Sequence, residues 1–172
     1  MKYVGIVLVV IAVVWFILGV RAEIIRYYEY QNKYQSYWEL ADKSSTIEEK
    51  SNYINKFVNA LINSGLEGEN DAIIYKIPTN SFDNNLRALK SLQQRLEEIK
   101  TMDIKSFEYQ TAIQQITAQE QGEAVAMLDV LHGCWVKSNY PLLWDWIGAI
   151  FWTVWVLFTC FGCLLIAAGW ND

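Results

Sequence analysis

Three groups of residues in this 172-residue chain have the types and spacing of a chemical site. Cys160 and Cys163 stand as a Cys-x-x-Cys pair, the arrangement of dithiol redox centres. His132 follows Asp129 by three residues, and Glu120 and Glu123 precede it by two to three helical turns, a donor set that suits a metal ion. Glu67, Glu69, Asn70 and Asp71 gather oxygen ligands around Gly68, as a calcium loop does.

The setting of each group argues for a plainer reading. Redox work needs a thiolate at an exposed helix start, whereas Cys160 and Cys163 fall inside a long uncharged apolar run, where they read as small packing residues. A di-metal site in a helical bundle needs a Glu-x-x-His on each of two helices, and His132 is the sole histidine. Only a mononuclear metal site on His132 and Asp129 remains, against a satisfied or solvated histidine near a membrane surface. The acidic loop lacks the EF-hand spacing and reads as solvated. With no phosphate-cradling glycine loop, no Gly-x-Ser-x-Gly elbow and no His-Glu-x-x-His, the expectation is a non-enzyme without a cofactor.

The elements that must position these residues follow from where the charges lie. No charge occurs from Tyr3 to Val20, a run that reaches about 27 Å as a helix. A second uncharged run, Ile147 to Ala168, is long enough to cross a bilayer with some tilt. The first run resembles a signal peptide in its basic start at Lys2, yet it exceeds the usual apolar core of about 7 to 15 residues and reads as an uncleaved anchor. Neither span holds an ionisable residue, which argues against a proton or ion path through this chain alone. Between the runs lie every basic residue but Lys2 and every acidic residue but Asp172. That segment has no basic stripe, since Arg87, Lys90, Arg95 and Lys100 are interrupted by Glu97 and Glu98, so nucleic acid is not an expected partner. Cys134 is its only cysteine, which precludes an internal disulfide framework.

Within the polar segment the apolar residues keep helical periods. Ile24, Tyr27, Tyr34, Trp38 and Ala41, with Gln31 in the polar slot, form a heptad-like seam that continues the first span. Ser45 with Glu48, or Thr46 with Glu49, offers a capping box for a helix carrying Ile54, Phe57, Val58, Leu61 and Ile62, with a stop at Gly65. Residues 72 to 78 predict a short extended segment. Ser81 then caps a helix through Phe82, Leu86, Leu89, Leu96 and Ile99, and a fourth helix runs from Asp103 or Ser106 to Cys134 or Trp135. Pro141 marks entry to the second span. The fold class is therefore an all-α membrane protein in which two transmembrane helices (1–20 and 141–170) flank an antiparallel bundle of about four helices (21–140).

Three features point to interactions. Thr159, Cys163 and Ala167 make a ridge of small side chains along the second span, with Ala149 and Thr153 as a shorter one, suited either to Gly5 or Gly19 of the first span or to another subunit. Trp15, Trp152 and Trp155 lie at bilayer depth, where an indole N–H seeks a protein acceptor, whereas Tyr140, Trp144, Trp146 and Trp170 suit the interfaces. The aromatic surplus that includes Tyr34 and Trp38 suits headgroups or another protein. The expected partners are the lipid bilayer and other membrane subunits or a second copy. Two functions are expected: a non-catalytic accessory subunit of a membrane complex, or a ligand-sensing bundle with the gross topology of chemoreceptor sensor domains, signalling through a partner. The expected location is a cell membrane, two-pass, with the bundle on the extracytoplasmic side by its Lys2 start, although counting Arg21, Arg26, Lys33 and Lys137 gives the opposite side.

Overall fold

The uncharged N-terminal run continues into the tyrosine-rich segment as helix, and the computed structural model, which describes residues 2–72, 74–122 and 124–169, assigns it to α1 (Lys2–Tyr30). A π-helical turn at Gln31–Gln35 leads on into α2 (Ser36–Lys43). There follow α3 (Ile47–Ile62), α4 (Phe82–Lys100), α5 (Phe107–Gly122), α6 (Ala124–Asn139) and α7 (Asp145–Ala168), with 3₁₀ turns at Pro78–Asn80 and Pro141–Leu143. Among the described residues there is no strand. Two helices, Tyr3–Lys43 and Ile147–Ala168, are long and apolar enough to cross a membrane. The chain forms two compact units, Met1–Tyr28 with Asn139–Asp172, and Glu29–Ser138. Glu123 and Trp170 lie outside the described residues, as do the side chains of Glu120 and Trp146.

The π turn corrects the expected seam. The Ser36 N–H donates to the Gln31 carbonyl five residues back, and the Glu39 carboxylate accepts from the amides of Gln31 (2.9 Å) and Gln35 (3.1 Å). One extra residue in the turn shifts the helical phase. As a result Tyr30 and Tyr34 are the buried rings, whereas Tyr27 is exposed. Beyond the turn the seam resumes as read, with Ala41 buried and Trp38 edge-on to Phe57 at 5.7 Å.

In the 29–138 unit, Thr46 starts α3 by accepting the Glu49 N–H on its hydroxyl at 3.2 Å. α3 packs on both α2 and α4. Its face of Ile54, Phe57, Val58 and Leu61 is buried, as are Phe82, Leu89, Leu96 and Ile99 on α4. At roughly 1.5–3 kcal/mol per fully buried large apolar side chain, this is the main cohesive term of the unit. Gly65 ends the α3 region at φ +73°, a left-handed conformation that a side chain would strain.

In the expected extended segment Ile77 is extended (φ −118°, ψ 158°) but without strand pairing among the described residues beyond one isolated Asn70–Ser81 bridge, and Pro78, which lacks an N–H and has a fixed φ, opens a 3₁₀ turn across which Asn80 donates to the Tyr75 carbonyl at 2.8 Å. One local expectation is overturned. The Ser81 side chain makes no cap bond for α4. The Phe82 N–H that opens α4 donates to the Glu69 carbonyl at 2.9 Å, and Asn85 donates to the carbonyls of Ser81 (2.7 Å) and Thr79 (3.0 Å), Asn84 to that of Pro78 (2.9 Å), while Asp83 accepts the Gly68 N–H at 3.2 Å.

The expected fourth helix is present as α5 and α6. Ser106 rather than Asp103 caps α5, accepting the Tyr109 N–H at 3.0 Å, and α6 runs on to Asn139, past the predicted end at Trp135. The 66–81 loop is clamped on α6: Lys137 donates to the Asn70 carbonyl at 3.0 Å and pairs with Glu69 at 3.4 Å. At Gly133 an added Cβ would stand 1.8 Å from an Asp71 carboxylate oxygen, so a side chain there would require the acid to shift. Pro141 opens a 3₁₀ turn instead of α7, which starts at Asp145 after an extended Trp144.

A polar lock ties α3 to α4. The buried Ser51 hydroxyl (2.5 Å) and the Asn55 amide (3.0 Å) donate to one Glu97 oxygen, and Lys100 donates to the other at 2.9 Å. These bonds, Ser51 first, lower the Glu97 carboxyl from 4.5 to about 2. A depressed acid stabilises the fold above its unfolded value, and the effect is lost as pH falls through its folded value. Glu97→Gln is therefore expected to lower the unfolding midpoint at pH 7, with the gap to wild type closing between about pH 4.5 and pH 2; a gap that is constant with pH would show that the charge of Glu97 is not the source.

Candidate functional site

The 29–138 unit is packed on one side and open on another. A groove of about 1150 Å³ runs between the α2–α3 junction and the α4–α5–α6 segment. Trp38, Ile99, Ile113, Ile116 and Leu128 line its apolar part, and Asp42, Ser44, Ser45, Thr46, Glu48 and Lys100 supply polar lining. Ile104 (71% exposed) and Val125 (62%) belong to the groove's apolar lining, and Phe107 is also exposed (78%). Periodicity places Ile113, Ile116 and Leu128 on core faces, and only the fold reveals that they face an opening. The surplus of exposed apolar residues at 104 and 107 is the one local signal for it.

Tyr34 and Trp38 fall in different surroundings. Tyr34 joins a ring cluster with Tyr30 (5.3 Å) and Trp135 (6.3 Å), whereas Trp38 lines the groove. Burial raises the phenols of both Tyr30 and Tyr34. His132 packs against Tyr30 with ring centres 4.5 Å apart and planes tilted by 55°. Its metal-site companion Asp129 is exposed, and among the described residues no group of three His, Cys, Asp or Glu side chains is arranged to hold a metal ion. The acidic loop is engaged with α6 through Glu69 and Asp71, while Glu67 is exposed. Burial first, and then the Asp71 charge, push the Cys134 thiol up to about 12.

In the other unit, α1 meets α7 at glycines. A Cβ on Gly5 would lie 2.7 Å from the Gly162 carbonyl oxygen, and one on Gly19 would lie 2.9 Å from the Trp152 ring. Both glycines named from the sequence thus serve the α1–α7 contact, but their counterparts are Gly162, Ile166 and Trp152 rather than the predicted ridge. Thr159 returns its hydroxyl to the Trp155 carbonyl at 2.9 Å, and Cys163 and Ala167 are exposed. Trp15, Phe16, Phe151, Trp152 and Trp155 form one aromatic cluster with ring centres 5.0 to 6.1 Å apart. The Trp155 indole donates to the Ala12 carbonyl at 2.8 Å, so its acceptor lies within the same chain.

No protein-family model, curated protein or solved structure matches this chain. Replacing Trp155 with Phe keeps an aromatic ring and removes only the donor to Ala12. Interhelical hydrogen bonds between apolar helices are worth about 0.6 kcal/mol on average. The expected result is a loss of about that size in the stability of the α1–α7 pair, measured by denaturation in mixed micelles; no change would show that the ring contacts alone hold the pair.

Proposed function

We propose that this protein is a non-catalytic accessory subunit of a membrane protein complex, crossing the bilayer twice and offering the groove of its 29–138 unit to a partner subunit. The observation that carries this reading is apolar surface left uncovered by the chain itself. Only 17% of the apolar window of the first long helix and 6% of that of the second are buried within the chain. A core helix of a water-soluble protein would be mostly buried, so α1 and α7 require an apolar surrounding, which a bilayer supplies. In the polar unit, Ile104 and Val125 line the groove yet stay exposed, and uncovered apolar lining of this kind supports an interaction surface. The exposed Cys163 and Ala167 leave the small-residue ridge open to a second transmembrane helix. The Lys2 start supports a cell membrane location with the 29–138 unit on the extracytoplasmic side.

A second reading, a ligand-sensing module that signals through a partner protein, draws on the polar part of the same groove. Ser44, Ser45, Thr46 and Lys100 beside an apolar floor suit an amphiphilic small molecule. Purification of the tagged full chain from its native membrane in gentle detergent, with mass spectrometry of what accompanies it, separates the two. Stoichiometric partners are expected, and a clean monomer or homodimer would overturn the accessory-subunit reading in favour of the sensor.

Two substitutions test the surfaces. Val125→Glu, at the exposed lip of the groove, is expected to cut partner recovery about tenfold, or about 1.4 kcal/mol, without loss of helical circular dichroism. Cys163→Phe fills the small-residue ridge and is expected to weaken assembly while membrane insertion stays intact; unchanged assembly would remove the ridge from the interface.

A further inference from the structure

Trp15, Leu18, Gly19 and Ala22 repeat at spacings of three and four and so share one face of α1. With Leu142 of the 3₁₀ turn and Phe151 of α7, they wall a pocket of about 420 Å³. Its lining is almost wholly carbon, and the Trp15 and Phe151 rings meet edge to face at 5.0 Å at its wall. The pocket follows α1 for about 10 Å from Trp15 to Ala22, at a rise of about 1.5 Å per residue. Arg26 stands four residues beyond Ala22 on the same face, about 6 Å further along the axis. Its Nη2 donates to the Glu23 carboxylate, while its Nε is buried and has no hydrogen-bond partner.

We propose that this pocket holds an acyl chain of one bilayer phospholipid, with the phosphate accepting from the Arg26 guanidinium. The inference rests on the reading of α1 and α7 as membrane helices. Three observations choose the occupant. A carbon-lined concavity does not retain water, and the apolar material at that depth of a bilayer is lipid chain. The cation lies on the pocket's own helical face, where a phosphate follows the start of its acyl chain. Glu23 engages Nη2 while the Arg26 side chain stays 23% exposed, and a guanidinium is the side chain best matched to phosphate oxygens. Gly19 lies in the pocket wall where α1 and α7 meet, an added Cβ there standing 2.9 Å from the Trp152 ring.

The test is native mass spectrometry of the full chain purified from phospholipid membranes. Wild type is expected to keep one phospholipid mass at collision energies that strip the detergent. Ala22→Phe, which fills the pocket, is expected to lose it, and Arg26→Gln to lower the bound fraction about tenfold. Val154→Phe adds bulk on an exposed face of α7 and is expected to keep the lipid. If Ala22→Phe loses helical circular dichroism, Leu142→Trp fills the opposite wall and carries the same expectation. Wild type without retained lipid, or a pocket-filling variant that retains it, overturns the proposal. So does delipidated protein that binds inorganic phosphate as well as it binds phosphatidylglycerol. Alkaline carbonate extraction separates the premises: release of the chain from membranes overturns the membrane reading itself, whereas a chain that stays in the pellet but keeps no lipid overturns the pocket alone.

Discussion

The buried face of α3 is the constraint on which the 29–138 unit depends. Ile54, Phe57, Val58 and Leu61 present one apolar stripe that α2 and α4 both use, so α3 is the element through which the others are brought into register. The Ser51–Glu97 bond sets the alignment of α3 and α4, because a hydroxyl buried in an apolar face must find its acceptor at one position only. The contacts around α3 also account for the groove. Once α2 and α4 have spent their apolar faces on α3, the residues of α5 and α6 that point the same way, Ile113 and Leu128 among them, are left lining open space.

The pairing of α1 with α7 obeys a different rule. Contact here follows shape: Gly5 against Gly162, Gly19 against Trp152, and five aromatic rings between, and in the proposed bilayer setting exclusion of water would add little. Glycine lets the backbones approach, and the rings fill the space where they diverge. The small-residue ridge at Thr159, Cys163 and Ala167 is not consumed by this contact, which is why it remains available to a partner in the proposed assembly.

What could be read in the sequence was local and periodic. The Thr46–Glu49 cap depends on residues three apart, the Gly65 stop on one backbone conformation, and the α3 and α4 faces on a sustained helical period. The features that escaped are decided by competition or at a distance. Whether Tyr27 or Tyr30 is buried turns on the phase of a π turn held by Glu39, eight residues from Gln31. Ser81 makes no cap where the first N–H of α4, that of Phe82, is taken at 2.9 Å by the Glu69 carbonyl of the preceding loop. Helix α6 outruns its predicted end where Lys137 is held by a loop 67 residues earlier. The groove is an absence of packing between the 42–50 and 99–128 regions, and no local pattern encodes a void.

The clamp of the 66–81 loop on α6 has a chemical effect as well as a mechanical one. By burying Cys134 and setting the Asp71 carboxylate beside it, the loop keeps the only thiol outside the two long apolar helices protonated. Disulfide exchange and peroxide oxidation both proceed through the thiolate, so burial and the neighbouring Asp71 charge disfavour both reactions at Cys134.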